Sequence, residues 1–313
     1  RRSYETSLDI LNINEHFKKN EIPVDFFWLD VDYTDDRKYF TWLEKAFPNV
    51  TDLLYKLDQD GKKNLVTNID PYIKIHYFIS DRIEESGLAM KDQNMNLYIT
   101  DSWAGKSLWL DYLQTNESQE LWQQFYADFF KSAADAGLTN HHAWNNMNEP
   151  SLFKKFEKTL PLNVLHNSGF EHRSVHNIYG KAMHEATHKS LLKVYKGEKR
   201  AFVLSRAFFA GSQRTANTWP GDNFATWDHL RNSIPMILNN GLAGMPNTGA
   251  DVAGFYGNPS KQLTVRWYQL AVFYPFFRAH AHLETSRREP HIMLEKLPKY
   301  GKLVRDSIRL RYK

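Results

Sequence analysis

The sequence contains no cysteine, which excludes disulfide bonds, thiolate nucleophiles and cysteine-type zinc sites together. The absence of cysteine does not indicate whether the protein lies in an oxidising or a reducing compartment. Long apolar runs are also missing, because the longest strongly apolar run, residues 270–277, is far too short to cross a bilayer. The first residues lack the apolar core of a signal peptide. We therefore expect no membrane association.

A strong excess of charge of either sign is absent as well. The 40 Lys and Arg residues against 36 Asp and Glu give a net charge of +4, which is too small to indicate a nucleic acid partner. The histidines show no spacing such as His-Glu-x-x-His, so we expect no metal site. Aromatic residues, in contrast, are abundant, with 9 Trp, 16 Tyr and 20 Phe. Most must fill a core, and the rest suit flat apolar sugar faces.

Apolar segments with strand-like and helix-like periodicity alternate along the chain, and polar residues recur where the predicted strands end. The predicted strands cover residues 24–29, 64–70, 200–205, 245–251 and 274–280, and predicted helices include residues 10–17, 50–57, 121–133 and 175–186. This alternation predicts a parallel (β/α) barrel, whose chemistry lies at the carboxyl ends of its strands.

One heptapeptide, Trp-Asn-Asn-Met-Asn-Glu-Pro at residues 144–150, has an unusual composition for a strand end. One carboxylate, three amides and an indole suit a polar pocket with an aromatic floor. The same residues also suit a hydrogen-bonded loop. By itself the heptapeptide does not decide between these two interpretations.

The heptapeptide resembles the Trp-Asn-Asp-Met-Asn-Glu-Pro signature of the retaining α-glucosidases of glycoside hydrolase family 31. Five further segments are similar to motifs of that family, in the same order. They are residues 28–42, 101–112, 206–214, 219–230 with its Trp-x-Gly-Asp-Asn, and 245–290 with Gly-Ala-Asp and Pro-Phe-Phe-Arg-x-His. Residues 28–42 and 281–290 are closest to the glucosidase II group of the family.

The resemblance implies a (β/α)8 TIM-type barrel in an α/β chain, with residues 1–313 as a single catalytic domain. We count about seven strand–helix units. The first strand is expected before residue 1, so the barrel is expected to be partial and to lack the family's flanking β domains. The long polar segment around residues 75–110 is expected to be a functional loop insertion.

The resemblance also assigns the site. Asp222 corresponds to the acid/base and Asn146 stands at the nucleophile position, whereas the family has aspartate there. The positions that correspond to substrate-binding residues are Asp30, Val31, Trp103, Trp144, Met147, Arg206, Trp219, Asp251, Phe255 and His280. For Asp251, a role as ligand and a role as structural partner are both open. No metal and no cofactor are implied, because retaining glycosidases use two carboxyl groups.

Asn146 is the most informative departure from the family pattern. A carboxamide is a much weaker nucleophile than a carboxylate and carries no charge to stabilise an oxocarbenium-like transition state. Three explanations are open: an engineered inactivation, a natural inactive relative that still binds glycans, or an error in the sequence. Glu149 corresponds to a supporting residue and is not a replacement nucleophile.

The predicted function is retaining exo-hydrolysis of terminal α-linked glucose, with glucosylated N-glycans as substrate, and Asn146 puts the activity in question. By resemblance the protein would lie in the endoplasmic reticulum lumen beside a non-catalytic beta subunit. The alternative is a glycan-binding pseudoenzyme of the same family. A different glycoside or transglycosylase specificity on the same barrel is a third possibility.

Overall fold

The computed structural model describes residues 4–113, 116–153 and 157–313. Its strands are β1 (Phe26–Leu29), β2 (Asn64–Ile69), β3 (Tyr72–Lys74), β4 (Thr100–Ser102), β5 (Gly105–Trp109), β6 (His141–Asn145), β7 (Val203–Ser205) and β8 (Asn217–Thr218). Its helices are α1 (Ser7–Lys19), α2 (Val50–Gln59), α3 (Phe78–Ser86), α4 (Asn116–Asp135), α5 (His172–Val194), α6 (Trp227–Leu242), α7 (Lys261–Ala271), α8 (Pro290–Lys296) and α9 (Pro298–Arg311). None of the helices in these ranges is long and apolar enough to cross a membrane.

Local sequence explains where several helices begin. Helix α1 starts with a capping box, in which the Thr6 hydroxyl accepts a hydrogen bond from the Asp9 amide and the Asp9 carboxylate accepts one from the Thr6 amide. Ser260 caps α7 and Thr226 caps α6 through their hydroxyls. Pro235 lies inside α6.

The main sheet has the order β1-β2-β6-β7-β8, and every neighbouring pair is parallel. This confirms the predicted α/β class. On one face, Trp28, Val66, Trp144, Leu204, Trp219 and Phe276 form an apolar cluster inside the sheet's curve. Asp30, Asn146 and Arg206 stand two residues after Trp28, Trp144 and Leu204 and follow the carboxyl ends of β1, β6 and β7.

Residues 75–110 were predicted to be a loop insertion, but apart from short connections only residues 87–99, between α3 and β4, have no helix or strand. The predicted insertion contains helix α3 and, with β3, an antiparallel three-stranded sheet of order β3-β5-β4. The side chains of Ile73, Leu108 and Trp109 are buried in the apolar cluster beneath this sheet. The polar sequence misled us because such a small sheet keeps one face in solvent.

Residues 245–251 and 274–280 were predicted as strands but are extended segments without a regular ladder. They lie side by side, since the Phe276 amide donates to the Thr248 carbonyl (3.2 Å) and the Val252 amide donates to the Arg278 carbonyl (2.9 Å). Their approach requires Gly249, because a Cβ there would lie 1.8 Å from the Phe276 carbonyl oxygen. Hydrogen bonds between them are too few to form a strand.

A cavity of about 500 Å³ lies between β1 and residues 275–281, and Phe26, Trp28, Phe202 and Phe276 line it. Strand β1 pairs only with β2 in the described ranges. The sheet therefore has an unpaired edge at β1, where the predicted first strand of a closed barrel would lie.

Candidate functional site

Asp30 follows β1 and contacts His280, which lies 250 residues further along the chain. Its Oδ2 lies 3.2 Å from His280 Nε2, and its Oδ1 accepts a hydrogen bond from the Val31 amide (2.7 Å). Asn68 on β2 approaches the same Oδ1 at 3.5 Å. Burial lowers the pKa of His280 to about 3, against the raising effect of Asp30, so His280 is neutral near pH 7.

Asn146 lies one residue beyond β6, between two structural anchors. Its Oδ1 is buried and has no hydrogen-bond partner among the described residues. Met147 follows in a left-handed conformation (φ 52°), and its sulfur lies 3.6 Å from the Tyr72 hydroxyl. Asn148 fixes the other side, because its side chain donates to Ser205 Oγ (2.8 Å) and accepts from the Ala207 amide (3.0 Å).

Arg206, one residue beyond β7, joins two carboxylates. Its Nε and Nη2 donate to the two carboxylate oxygens of Glu149 at 2.8 and 3.1 Å, which is a bidentate ion pair. Its Nη1 lies 3.8 Å from Asp222 Oδ2. Glu149 thus orients the guanidinium that faces the predicted acid/base.

Asp222 has the partly buried environment that an acid catalyst needs. Its side chain is 32% exposed. Burial raises the pKa of Asp222, and the Arg206 charge opposes this only in part. The preceding Gly221 has a φ of 90°, and a Cβ there would meet only Arg206 Cδ at 3.8 Å. Gly221 is therefore required for its backbone conformation and not for lack of space.

A buried cation lies beneath the polar residues. Arg278 donates to Asp251 (2.8 Å), and its guanidinium lies 4.9, 4.8 and 5.1 Å from the ring centroids of Trp28, Trp144 and Trp219. Burial raises the pKa of Asp251 to about 6, although Arg278 lowers it. Asp251 is fully buried, so its position favours the structural role of the two that were open.

The remaining predicted residues form walls. Phe255 stacks on His280 at 5.3 Å and 14°, and the Trp144 ring meets the same imidazole edge-on at 5.3 Å. Trp103 is half-buried, packs edge-on against Tyr72 at 6.1 Å, and carries the Arg37 guanidinium 5.0 Å above its ring. Val31 is buried beside Asp30. These wall residues thus contact the same network, and the assigned roles remain predictions.

Sequence reasoning missed Asp70, Tyr39, Tyr72 and the role of Arg278 in this network. Asp70 directly follows β2 and precedes Pro71. Its place at the end of a predicted strand was the signal that could have indicated a site residue. The described ranges contain no group of three or more His, Asp or Glu side chains that could hold a metal ion. That no metal takes part stays a prediction.

Comparison with known proteins identifies the family. The family model described as "Glycosyl hydrolases family 31 TIM-barrel domain" matches residues 1–313. Glucosidase 2 subunit alpha of Saccharomyces cerevisiae is 49% identical over 313 residues, which are 100% of this chain and 32% of that protein. Neutral alpha-glucosidase AB of Sus scrofa is 42% identical over 315 residues, covering 100% of this chain and 32% of that protein.

Solved structures agree with this result. The crystal structure of the glucosidase II alpha subunit in its alpha3-Glc2-bound form has a TM-score of 0.92 and 42% identity, and the match covers 99% of this chain and 33% of that one. The chain spans about a third of the length of these relatives. The parallel α/β fold, the order of the motifs and the family model's match to residues 1–313 agree. The chain belongs to the TIM-barrel domain family of glycosyl hydrolase family 31.

Proposed function

We propose that this chain is the catalytic barrel of a retaining exo-α-glucosidase that removes terminal α-linked glucose. The observation that carries the proposal is the pair of clusters at the carboxyl ends of the strands. Asp30 with His280 offers acceptors and a neutral imidazole for sugar hydroxyls, and Arg206 places a cation 3.8 Å from the raised-pKa Asp222. A carboxyl group of raised pKa next to a hydroxyl-binding pocket is what exo-glycosidases need.

In this mechanism Asp222 protonates the glycosidic oxygen as the bond to the anomeric carbon breaks. An aspartate at position 146 would attack that carbon and form the glycosyl-enzyme, which water then releases with Asp222 acting as base. Asn146 cannot perform the attack at a useful rate, because its amide lacks the negative charge. The chain as it stands would therefore bind terminal glucose and turn it over very slowly.

The relatives support a proposal for the substrate and the partner. One solved relative is an ER glucosidase II heterodimeric complex of a catalytic subunit and the binding domain of a regulatory subunit. We therefore extend the proposal to glucosylated N-glycans as substrate, a non-catalytic regulatory subunit as partner and the endoplasmic reticulum lumen as location. The second candidate, a glycan-binding pseudoenzyme, is favoured by the amide at Asn146.

Calorimetric titration of the full-length protein with α-glucosides tests the binding site that both candidates share. We expect binding of glucose-terminated and not of mannose-terminated ligands, and at least a tenfold loss in Asp30→Ala, since one tenfold step is the loss of about one good hydrogen bond. Asp35→Asn is the matched control, because Asp35 is exposed on the same segment. Unchanged affinity in Asp30→Ala would show that the pocket is misassigned.

Turnover separates the two candidates. An aryl α-glucoside is assayed with the protein as it stands and with Asn146→Asp, and the anomeric configuration of the product is read by NMR. Hydrolysis restored by the aspartate with retention supports the glucosidase. Binding without any restored turnover supports the pseudoenzyme, and transfer products would indicate a transglycosylase.

A further inference from the structure

Asp70 is a buried carboxyl group for which the mechanism above has no use. It lies one residue beyond β2, and none of its surface is exposed. Its Oδ2 accepts hydrogen bonds from the hydroxyls of Tyr39 and Tyr72. Its Oδ1 is buried and has no hydrogen-bond partner among the described residues. A buried oxygen without a partner is costly, so this atom requires an explanation.

The register of the sheet places Asp70 beside the nucleophile position. Ile69 on β2 pairs with Asn145 on β6, and continuing the register by one residue sets Asp70 opposite Asn146. Parallel neighbours lie about 4.8 Å apart. Asn68, two residues before Asp70, reaches Asp30 in the interior, so Asp70 points to the same interior.

A second contact supports the same placement. The Tyr72 hydroxyl that donates to Asp70 also lies 3.6 Å from the sulfur of Met147, the residue after Asn146. Asn146 Oδ1 is itself buried without a hydrogen-bond partner in the described ranges. Asp70 and Asn146, which the register sets opposite each other, thus each carry a buried oxygen without a donor in the described ranges.

We propose that Asp70 is a positioning residue that holds a proton on Oδ1 and donates it to the oxygen of residue 146. In this chain the acceptor is the amide oxygen of Asn146, and one hydrogen bond satisfies both atoms. With an aspartate at position 146, the same proton would lie between two carboxyl groups and fix the orientation of the nucleophile. No bond other than this hydrogen bond forms, and the proton stays on Asp70.

The electrostatic surroundings agree with a protonated Asp70. Burial raises the pKa of Asp70 to about 7, although the hydrogen bonds from Tyr39 and Tyr72 lower it. The other charged groups that act on it are Asp30, which raises its pKa, and Arg206, which lowers it. The inference rests on the proposed function in one respect, since it takes position 146 as the nucleophile position.

Infrared difference spectroscopy of the full-length protein tests the proton directly. At pH 6 we expect the carbonyl stretch of a protonated carboxylic acid that Asp70→Asn removes. The band should move in Asn146→Leu, which has similar volume and no acceptor. In Asn146→Asp its titration midpoint should rise by about one pH unit or more, because coupled carboxyl groups share their proton. Asn94→Asp, at an exposed site, is the control for added charge.

Two results would overturn the inference. One is the absence at pH 6 of any acid band that depends on Asp70, which would mean that Asp70 is ionised and that the Asn146 amide group donates to it. The other is a band with the same position and midpoint whichever residue stands at position 146. Neither result depends on glycosidase activity, so an Asn146→Asp protein without turnover would count against the proposed function alone.

A kinetic comparison then separates positioning from a purely structural role. In the Asn146→Asp protein, Asp70→Leu should move the acid limb of the kcat/KM profile to higher pH, because the nucleophile loses its donor. Asp70→Asn retains a donor and should restore the limb. Lower activity in both variants with no displaced limb would contradict the proposal. If Asp70→Leu does not fold, the infrared result decides.

Discussion

Asn146→Asp is the perturbation with the largest expected effect, because it replaces one NH2 group by an oxygen and changes almost no volume. The residue lies one position beyond β6, where its Oδ1 is already buried. The change removes none of the contacts of Asp30 with His280 or of Arg206 with Asp222. We therefore expect little change in ground-state affinity for glucose, since the added charge matters chiefly in the transition state.

The structure indicates that the new carboxylate would be ionised near pH 7. Continuing the β6–β7 register by one residue places Asn146 opposite Arg206. A unit charge at about 5 Å contributes about 3 kcal/mol at an effective dielectric constant of 20. That attraction lowers the pKa of the nucleophile, provided that Asp70 on the other side is protonated. Restoring a catalytic group of this kind raises turnover by roughly 10⁴–10⁶-fold, which is about 5–8 kcal/mol.

The assay compares the two full-length proteins, prepared side by side, for kcat on an aryl α-glucoside and for glucose affinity. Asn94→Asp again controls for charge away from the site. Equal and substantial rates for both proteins would mean that position 146 is not the nucleophile position. A large gain in affinity without a gain in kcat would refute the argument that the charge acts on the transition state.

Three further predictions concern stability and metal dependence. Unfolding midpoints should rise as pH increases from 4 to 7, because burial lowers the pKa of five histidines to about 3 and the unfolded chain protonates them near 6.5; they are His141, His142, His172, His184 and His280. Asp70 and Asp251 act in the opposite direction, because their pKa is raised in the folded state and their contribution to stability falls as pH rises from 4 to 7. The five histidines outnumber these two groups, so a midpoint that falls over this range would show that the histidines are not neutral. Arg278→Met should destabilise the fold by about 3–5 kcal/mol in denaturant titration, because Asp251 would be left buried without its cation, and a smaller loss is expected in the double variant with Asp251→Asn. Exhaustive chelation should leave glucoside binding intact; a loss that divalent ions restore would contradict the two-carboxyl mechanism.

Local patterns were sufficient for the elements that depend on neighbours along the chain. Thr6 and Asp9 form their capping box within one helical turn, so the start of α1 depends on residues that are close in sequence. The strand at residues 64–70 was predicted to within one residue of β2, because Gly61 and Pro71 bound the segment on either side. The prediction of a loop at residues 75–110 did not foresee helix α3 and the β3-β5-β4 sheet, because these elements depend on packing against apolar residues that are distant in sequence.

The sequence alone determined the family motifs, their order and the departure at Asn146, because these are properties of residue identity. Only the tertiary structure decided which groups meet. Asp30 and His280 are 250 residues apart, and Arg206 lies 57 residues from Glu149. Parallel register sets such contacts, and a strand's own sequence does not state the register of its neighbour. Asp70 shows the difference. Nothing in the sequence around Asp70 distinguished it from other aspartates, and its position opposite Asn146 follows from the pairing of β2 with β6.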